Sequence, residues 1–154
     1  MQTKIRIRQG TKGDVSTISE TVEKWLKWKV PRELSIKRAV KNSELLVAES
    51  KGKVIGFIHY VIHEDIIDGG PNAFITCFYV EDEFRNKRIG SLLLDRAIED
   101  AVRKGAVGIE TSTASPDARR LYERHNFEQF MGKWTMGEVF LELNMEKAGH
   151  KRHG

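Results

Sequence analysis

The chain has 154 residues, 40% of them apolar and 31% charged, with a net charge of +4. That length suits one domain that buries a core without disulfide or metal staples. No apolar run approaches the roughly 20 residues of a membrane span, and the opening MQTKIRIRQG lacks the apolar centre of a secretion signal. The single cysteine, Cys77, excludes an internal disulfide and points to a reducing cytoplasm. Charge is local. Arg85, Lys87 and Arg88 form one basic spot and Lys147, Lys151 and Arg152 another, which leaves the remainder slightly acidic. A nucleic-acid-binding module shows a broad basic face instead, so a compact anionic ligand is the expected counterpart.

Residues 3–8, TKIRIR, alternate polar and apolar and predict a strand. GTKGDVSTISETVEKWLKW predicts a helix capped at Thr11 or Asp14, with Val15, Ile18, Val22, Trp25 and Leu26 on one face. Pro31 ends it and opens a second short helix over about 31–41. SELLVAES, a Lys51–Gly52 turn and KVIGFIHYVIHED predict a hairpin. DGGPN, residues 68–72, is a loop, and AFITCFYV, residues 73–80, is apolar on both faces and predicts a central, covered strand. Ile89, Leu92, Leu93, Leu94, Ala97, Ile98, Ala101 and Val102 form a helical stripe ending at Gly105. AVGIETST is a further strand. Ser115 or Asp117, with Pro116, starts a helix through about His125, and NFEQFMGKW with GEVFLELNME closes a final hairpin. The order β-α-α-β-β-β-α-β-α-β-β predicts one α/β domain over residues 1–146, a single mixed sheet flanked by helices, and a basic tail at 147–154.

The basic loop VEDEFRNKRIGS lies between the central strand and the amphipathic helix. Backbone N–H groups at such a strand-to-helix turn hold phosphates. Gly90 permits close approach, and the cations add charge-assisted contacts. Neither the GxxxxGK[ST] nor the GxGxxG pattern is present. Charge alone leaves a solvated basic loop as an equal reading.

Val80–Ser91 resembles the pyrophosphate loop of the GCN5-related N-acetyltransferases (GNAT), Arg/Gln-x-x-Gly-x-Gly/Ala, often preceded by Val-x-Pro-x-x. Downstream, SPDARRLYERHNF carries Ala118, Leu121, Tyr122, Glu123 and Phe127 and resembles the family's Asn-x-x-Ala-x-x-Leu-Tyr-Glu-x-x-Gly-Phe. The resemblance covers about residues 3–146. Three positions depart from it: Arg88 stands for the first loop glycine, Ser115 for asparagine and Asn126 for glycine. The resemblance implies the GNAT acyl-CoA N-acyltransferase fold, with a mostly antiparallel sheet, and acetyl-CoA as the acyl donor to an amine. It places Arg85, Asn86, Lys87, Arg88, Ile89, Gly90 and Ser91 on the phosphates and the backbone of Phe78, Tyr79 and Val80 along the pantetheine arm. It places Ser115 and Tyr122 at the coenzyme, with Tyr122 as general acid.

For the base, Glu110 stands five residues before Ser115, the offset at which family members that acetylate protein N-termini carry a glutamate. A solvent-facing strand glutamate is the competing reading, and His63 and Glu64 are weaker alternatives. The Glu110 offset favours a peptide or protein amine over a polyamine or small amine. Glu64, Asp65 and Asp68 suit a cationic acceptor, and dimers are common in the family. Two rival classes remain: a non-catalytic acyl-CoA-binding regulator, and a nucleic-acid-binding module using the basic loop and tail. No metal set is expected, because His59 and His63, four apart on a strand, lie about 13 Å from one another. Cys77 reads as packing rather than as a nucleophile. Of Trp25 and Trp28, one is expected in the core and the other at the acceptor. His150 and His153 are expected in a solvated tail.

Overall fold

The structure, a computed structural model, describes residues 4–129 and 139–144. The tail with His150 and His153 and the middle of the final hairpin lie outside the described residues. The elements are β1 (Ile5–Gln9), α1 (Val15–Leu26), α2 (Glu33–Lys41), β2 (Leu45–Ser50), β3 (Lys53–Asp65), β4 (Gly70–Val80), α3 (Ile89–Arg103), β5 (Gly108–Thr113), α4 (Pro116–Arg124), β6 (Glu128–Gln129) and β7 (Val139–Asn144). This is the predicted order. One seven-stranded mixed sheet runs β1-β2-β3-β4-β5-β7-β6. The pairs β1–β2, β2–β3, β5–β7 and β6–β7 are antiparallel, and β4–β5 is parallel. No described helix is long and apolar enough to cross a membrane. The chain divides into two compact units, Met1–His59 with Phe78–Leu93 and Tyr60–Cys77 with Leu94–Gly154.

In the first unit, Leu45, Leu46, Val47 and Ala48 of β2 are all buried, as are Ile55, Phe57 and Ile58 of β3. Each such large side chain withdrawn from water contributes about 1.5–3 kcal/mol before entropy is counted. Val15 and Ile18 of α1 are buried, but the expected stripe does not stay covered. The helix ends at Leu26, where Lys27 turns left-handed at φ 52°, and Trp25, Leu26 and Trp28 are exposed. Neither tryptophan is a core residue. Trp25 lies against the Tyr79 ring with centroids 5.1 Å apart, and the Arg32 guanidinium stands 5.8 Å over Trp28.

The start of α1 is fixed by charge. Arg8 of β1 makes a two-pronged contact with Asp14, at 2.8 and 2.9 Å, and reaches Glu49 of β2 at 3.2 Å. Asp14 also accepts the backbone N–H of Thr11 at 2.7 Å. One carboxylate therefore ties the first strand, the turn and the helix start together.

In the second unit, Asn72, Ala73, Phe74 and Ile75 of β4 pair with Gly108, Ile109, Glu110 and Thr111 of β5. Beyond Ile75 the strand is not covered as predicted, since Thr76 is exposed and Cys77 half-buried. Leu94, Ala97, Ile98 and Ala101 of α3 are buried, while Val102 of the expected stripe is only half-covered. Leu92, in the first unit, is exposed, because a helical face is narrower than three consecutive leucines.

The Arg8 guanidinium, first among its causes, holds the Asp14 carboxyl below its ordinary value, and the Thr11 N–H acts in the same direction. A depressed carboxyl contributes stability above its unfolded pKa and loses it as pH falls through the folded one. Asp14→Asn should therefore cost about 2 kcal/mol at pH 7, measured by denaturant unfolding. The gap to wild type should close as the pH drops below about 4, and a gap independent of pH would show that the charge is not what matters.

Candidate active site

In the first unit, a short 3-10 turn at Asp82–Phe84 leads into Arg85, Asn86, Lys87 and Arg88, all exposed, and then into α3, which Ile89 anchors as a buried residue. Leu92 N–H donates to the Arg88 carbonyl at 3.0 Å. The N–H groups of Ile89, Gly90 and Ser91 thus fall in the first helical turn, where no intrahelical acceptor exists. That end of the helix carries about half a positive charge. Asn86 and Arg88 are left-handed, at φ 62° and 65°, a conformation that costs an L-residue about 1–2 kcal/mol. The exposed Arg85 folds back along the chain: its Nε donates to the Val80 carbonyl at 3.2 Å and pairs with Asp82 at 3.2 Å. An exposed pair of this kind contributes at most about 1 kcal/mol. Lys87 Nζ lies 5.6 Å over the Phe84 ring.

Just before the loop, Phe78, Tyr79 and Val80 are half-buried. Tyr79 stacks on Phe57 at 5.6 Å, and burial, then the Glu81 and Asp82 carboxylates, raise its hydroxyl pKa. Gly56 is required here, since a Cβ on it would meet the Tyr79 carbonyl at 2.8 Å.

In the second unit, α4 is capped by Ser115, whose hydroxyl accepts the Ala118 N–H at 3.3 Å. Pro116 follows in the first turn. The helix closes at Asn126, left-handed at φ 69°, which lets Phe127 N–H donate to the Tyr122 carbonyl at 3.1 Å. This puts the Phe127 ring 5.2 Å from that of Tyr122. Tyr122 is 3% exposed. Burial pushes its phenol up to about 12; a hydrogen bond with the Thr111 side chain opposes this and Cys77 adds to it.

Glu110 is half-buried on β5 and Thr111, the next residue, is fully buried. Successive strand residues face opposite ways, so Glu110 lies on the face away from Thr111 and Tyr122. There the structure gathers residues that the sequence left scattered. The carboxylates of Asp65, Asp68 and Glu110 come within 4.8 Å of one another. Buried Asn72 donates its amide to Asp68 at 2.7 Å and to Asp65 at 3.2 Å. Desolvation raises the Glu110 carboxyl, Asp65, Asp68 and Glu142 raise it further, and His63 lowers it. Three carboxylates would suit a hard cation, but two of their oxygens already accept from Asn72. His63 thus joins the group as a charge neighbour of Glu110, though it is exposed, as is Glu64. Sequence reasoning did not find Asn72 or Thr111. The missing signal was the parallel register, which sets Asn72 opposite Gly108 and Ile75 opposite Thr111.

The model of the acetyltransferase (GNAT) family matches residues 15–127. The chain belongs to the GNAT family. Over 67 residues it is 31% identical to the acetyltransferase Atu2258 of Agrobacterium fabrum, a match spanning 42% of this chain and 49% of that one, about half of the relative's length. An N-acetyltransferase of Staphylococcus aureus shares the fold at a TM-score of 0.78 and 20% identity, over 93% of this chain and 99% of the other. The PaiA N-acetyltransferase of Thermoplasma acidophilum, solved with coenzyme A, does so at 0.74 and 19%, over 92% and 99%. Acetyl-CoA is the cosubstrate of GNAT enzymes. The left-handed backbone at Arg88 explains the glycine usual there: this GNAT chain keeps the turn and accepts the strain. Asn126 does the same for the glycine before Phe127.

Glu110→Gln removes a carboxylate whose ionised form the fold disfavours. With its folded pKa raised, ionised Glu110 destabilises the native state at pH above that value, and the penalty fades as pH falls and the group takes a proton. The variant should therefore melt a few degrees higher near pH 8 and match wild type near pH 4. Equal melting curves at both pH values would overturn the assignment of a raised carboxyl.

Proposed function

We propose that this chain is an acetyl-CoA-dependent N-acetyltransferase that moves acetyl directly to a primary amine, and that a peptide or protein amine is the acceptor. The observation that carries the reading is the pair of proton-transfer groups in one unit, Glu110 on β5 with its carboxyl raised and buried Tyr122 on α4 with its phenol held protonated. The loop residues fit the phosphates of the donor: exposed Arg85, Lys87 and Arg88 stand at a helix N-terminus whose turn is already set in the left-handed form. Acetyl-CoA supplies the acetyl group as a thioester.

The chain's own residues manage two protons. Glu110, in its ionised form and with its affinity for a proton raised by its surroundings, takes the proton that the amine loses as its nitrogen bonds to the acetyl carbon. Tyr122 gives its phenolic proton to the sulfur as the carbon–sulfur bond breaks, and solvent later restores it. Asp65, Asp68 and Glu142 do more than raise Glu110. Their negative field draws a positively charged acceptor toward the base. Ser115 caps α4 and so fixes where Tyr122 stands.

Acetyl-CoA at a hundredfold excess over Kd should add about 2.7 kcal/mol to unfolding, a rise of several degrees in Tm. Arg85→Ala should abolish most of that rise and raise the KM for acetyl-CoA while leaving kcat near wild type. In initial-rate assays over a panel of peptide and polyamine acceptors, the acid limb of kcat/KM should lie above the usual glutamate range and vanish in Glu110→Gln. No thermal shift with wild type, or an unchanged KM in Arg85→Ala, would sink the donor assignment.

A further inference from the structure

Residues 24–29, KWLKWK, are exposed at every position where α1 ends. Single exposed apolar residues are ordinary on a protein surface, but Trp25, Leu26 and Trp28 stand together, 42%, 48% and 63% exposed. Arg32, the residue before α2, carries its guanidinium over the Trp28 ring and so joins this segment to the second helix. On α2, Leu34, Lys37, Arg38 and Lys41 recur at the three- and four-residue spacing of one helical face. All four are exposed, Leu34 by 62%, whereas Ile36, Ala39 and Val40 are half-buried or buried. The Ser19 hydroxyl donates to Glu33 at 3.4 Å and ties the two helices to one another. Apolar and basic side chains are thus exposed together at one corner, which lies wholly within the first unit.

Seven cations and one acid, Glu33, give residues 24–41 a net charge of +6, larger than the +4 of the whole chain. Among the described residues, none of Lys24, Lys27, Lys29, Lys37, Arg38 and Lys41 forms an ion pair. Unpaired cations call for a dense negative surface, and exposed leucine and indole call for an apolar phase behind it. We propose that the α1–α2 corner is a peripheral docking surface for a membrane rich in anionic lipid. Its lysines and arginines lie among the headgroups, and Trp25, Leu26, Trp28 and Leu34 enter the acyl boundary. Such a surface rests on the bilayer, and no described helix crosses it. A nucleic acid fits the charge but not the rest. Bases stack on open ring faces, whereas Trp25 packs at 46° to the Tyr79 ring and Trp28 has a guanidinium over it, and leucine does not stack. Indoles at a membrane interface use their amphipathic character instead. The inference does not rest on the acetyl-transfer reading.

The test uses the full chain carrying Trp134→Phe, so that Trp25 and Trp28 are its only indoles. Vesicles of phosphatidylcholine alone are compared with vesicles in which phosphatidylglycerol replaces part of it, by sedimentation and by quenching with bromine-labelled lipid. The protein should bind the phosphatidylglycerol vesicles about tenfold more tightly or better and lose that binding as salt rises. Its tryptophan emission should shift to the blue and be quenched by bromines near the top of the acyl chains. Lys24→Gln, Lys27→Gln and Lys29→Gln together should weaken binding about tenfold or more. Trp28→Ser with Leu34→Gln should weaken it about fivefold at unchanged charge and cut the quenching. All five positions are exposed, so these variants should melt like wild type. No binding, or equal binding to both vesicle types, would overturn the proposal. Salt-sensitive binding without quenching, matched by a single-stranded RNA oligonucleotide, would overturn it in favour of a general polyanion site. A dimer that forms without lipid and is dissolved by Trp28→Ser with Leu34→Gln would overturn it too, by showing that a second copy covers the corner.

Discussion

A strand presents successive side chains to opposite faces, and β5 uses that constraint to part the half-buried Glu110 from the buried Thr111. Its register is held from both sides, parallel to β4 and antiparallel to β7. A slip of one residue would exchange Glu110 and Thr111 between faces, leaving a carboxylate under Tyr122 and a hydroxyl among the acids. Two neighbours guard against this. Ile109 and Thr111 are buried, so their face cannot turn outward without exposing apolar surface. Gly108 sits against Asn72, where a Cβ would come within 3.1 Å of its side-chain oxygen. The glycine and the asparagine thus fix one another, and the asparagine fixes the acidic turn.

That turn sorts its carboxylates by environment. Asp65 accepts the backbone N–H of Ile67 at 2.9 Å and of Asp68 at 3.2 Å. These bonds, the Asp68 one first, hold its carboxyl low. For Glu110 desolvation leads, and Asp65, Asp68 and Glu142 push it the same way. When acids crowd together, the one that the backbone stabilises keeps its charge and the one that burial penalises takes the proton. In the proposed reaction this difference favours Glu110 over Asp65 as the base, because the ionised form of Glu110 holds a proton more tightly. Separated pKa values within one group are how acid and base roles divide in a single site.

The elements were legible because most faces are amphipathic. KVIGFIHYVIHED reads as β3 over Lys53–Asp65 without adjustment, and the caps at Ser115 and the left-handed turn at Asn126 follow from residue chemistry alone. Errors came where exposure depends on tertiary contacts. Trp25 and Leu26 obey the helical period but extend past the surface that α1 covers. AFITCFYV looks like a covered strand, yet Thr76 is exposed. For the candidate site, Tyr122 and Glu110 could be nominated from the family resemblance. Thr111, Asn72 and the approach of Asp65 to Glu110 could not, because each contact joins residues some seven to 45 positions apart through a register that no local signal encodes. The basic loop was legible as charge but not as geometry. Nothing in RNKR says that Arg85 turns back to Asp82 and Val80.

A phenol held at about 12 is a poor acid toward a solvated thiolate, whose thiol form ionises at about 8.5; the gap of about 3.5 units is roughly 5 kcal/mol. Burial is compatible with the proposed acid role, because it acts on both partners. The dry surroundings that raise the phenol also raise the basicity of any thiolate formed beside it, so the two values converge only in an occupied, water-free site. Thr111 narrows the gap from the other end by favouring the phenolate. The same shift keeps Tyr122 protonated throughout the physiological range. In the proposed reaction the pH dependence of turnover therefore belongs to Glu110 and the amine, and the phenol acts as an acid only when a strong base is placed against it.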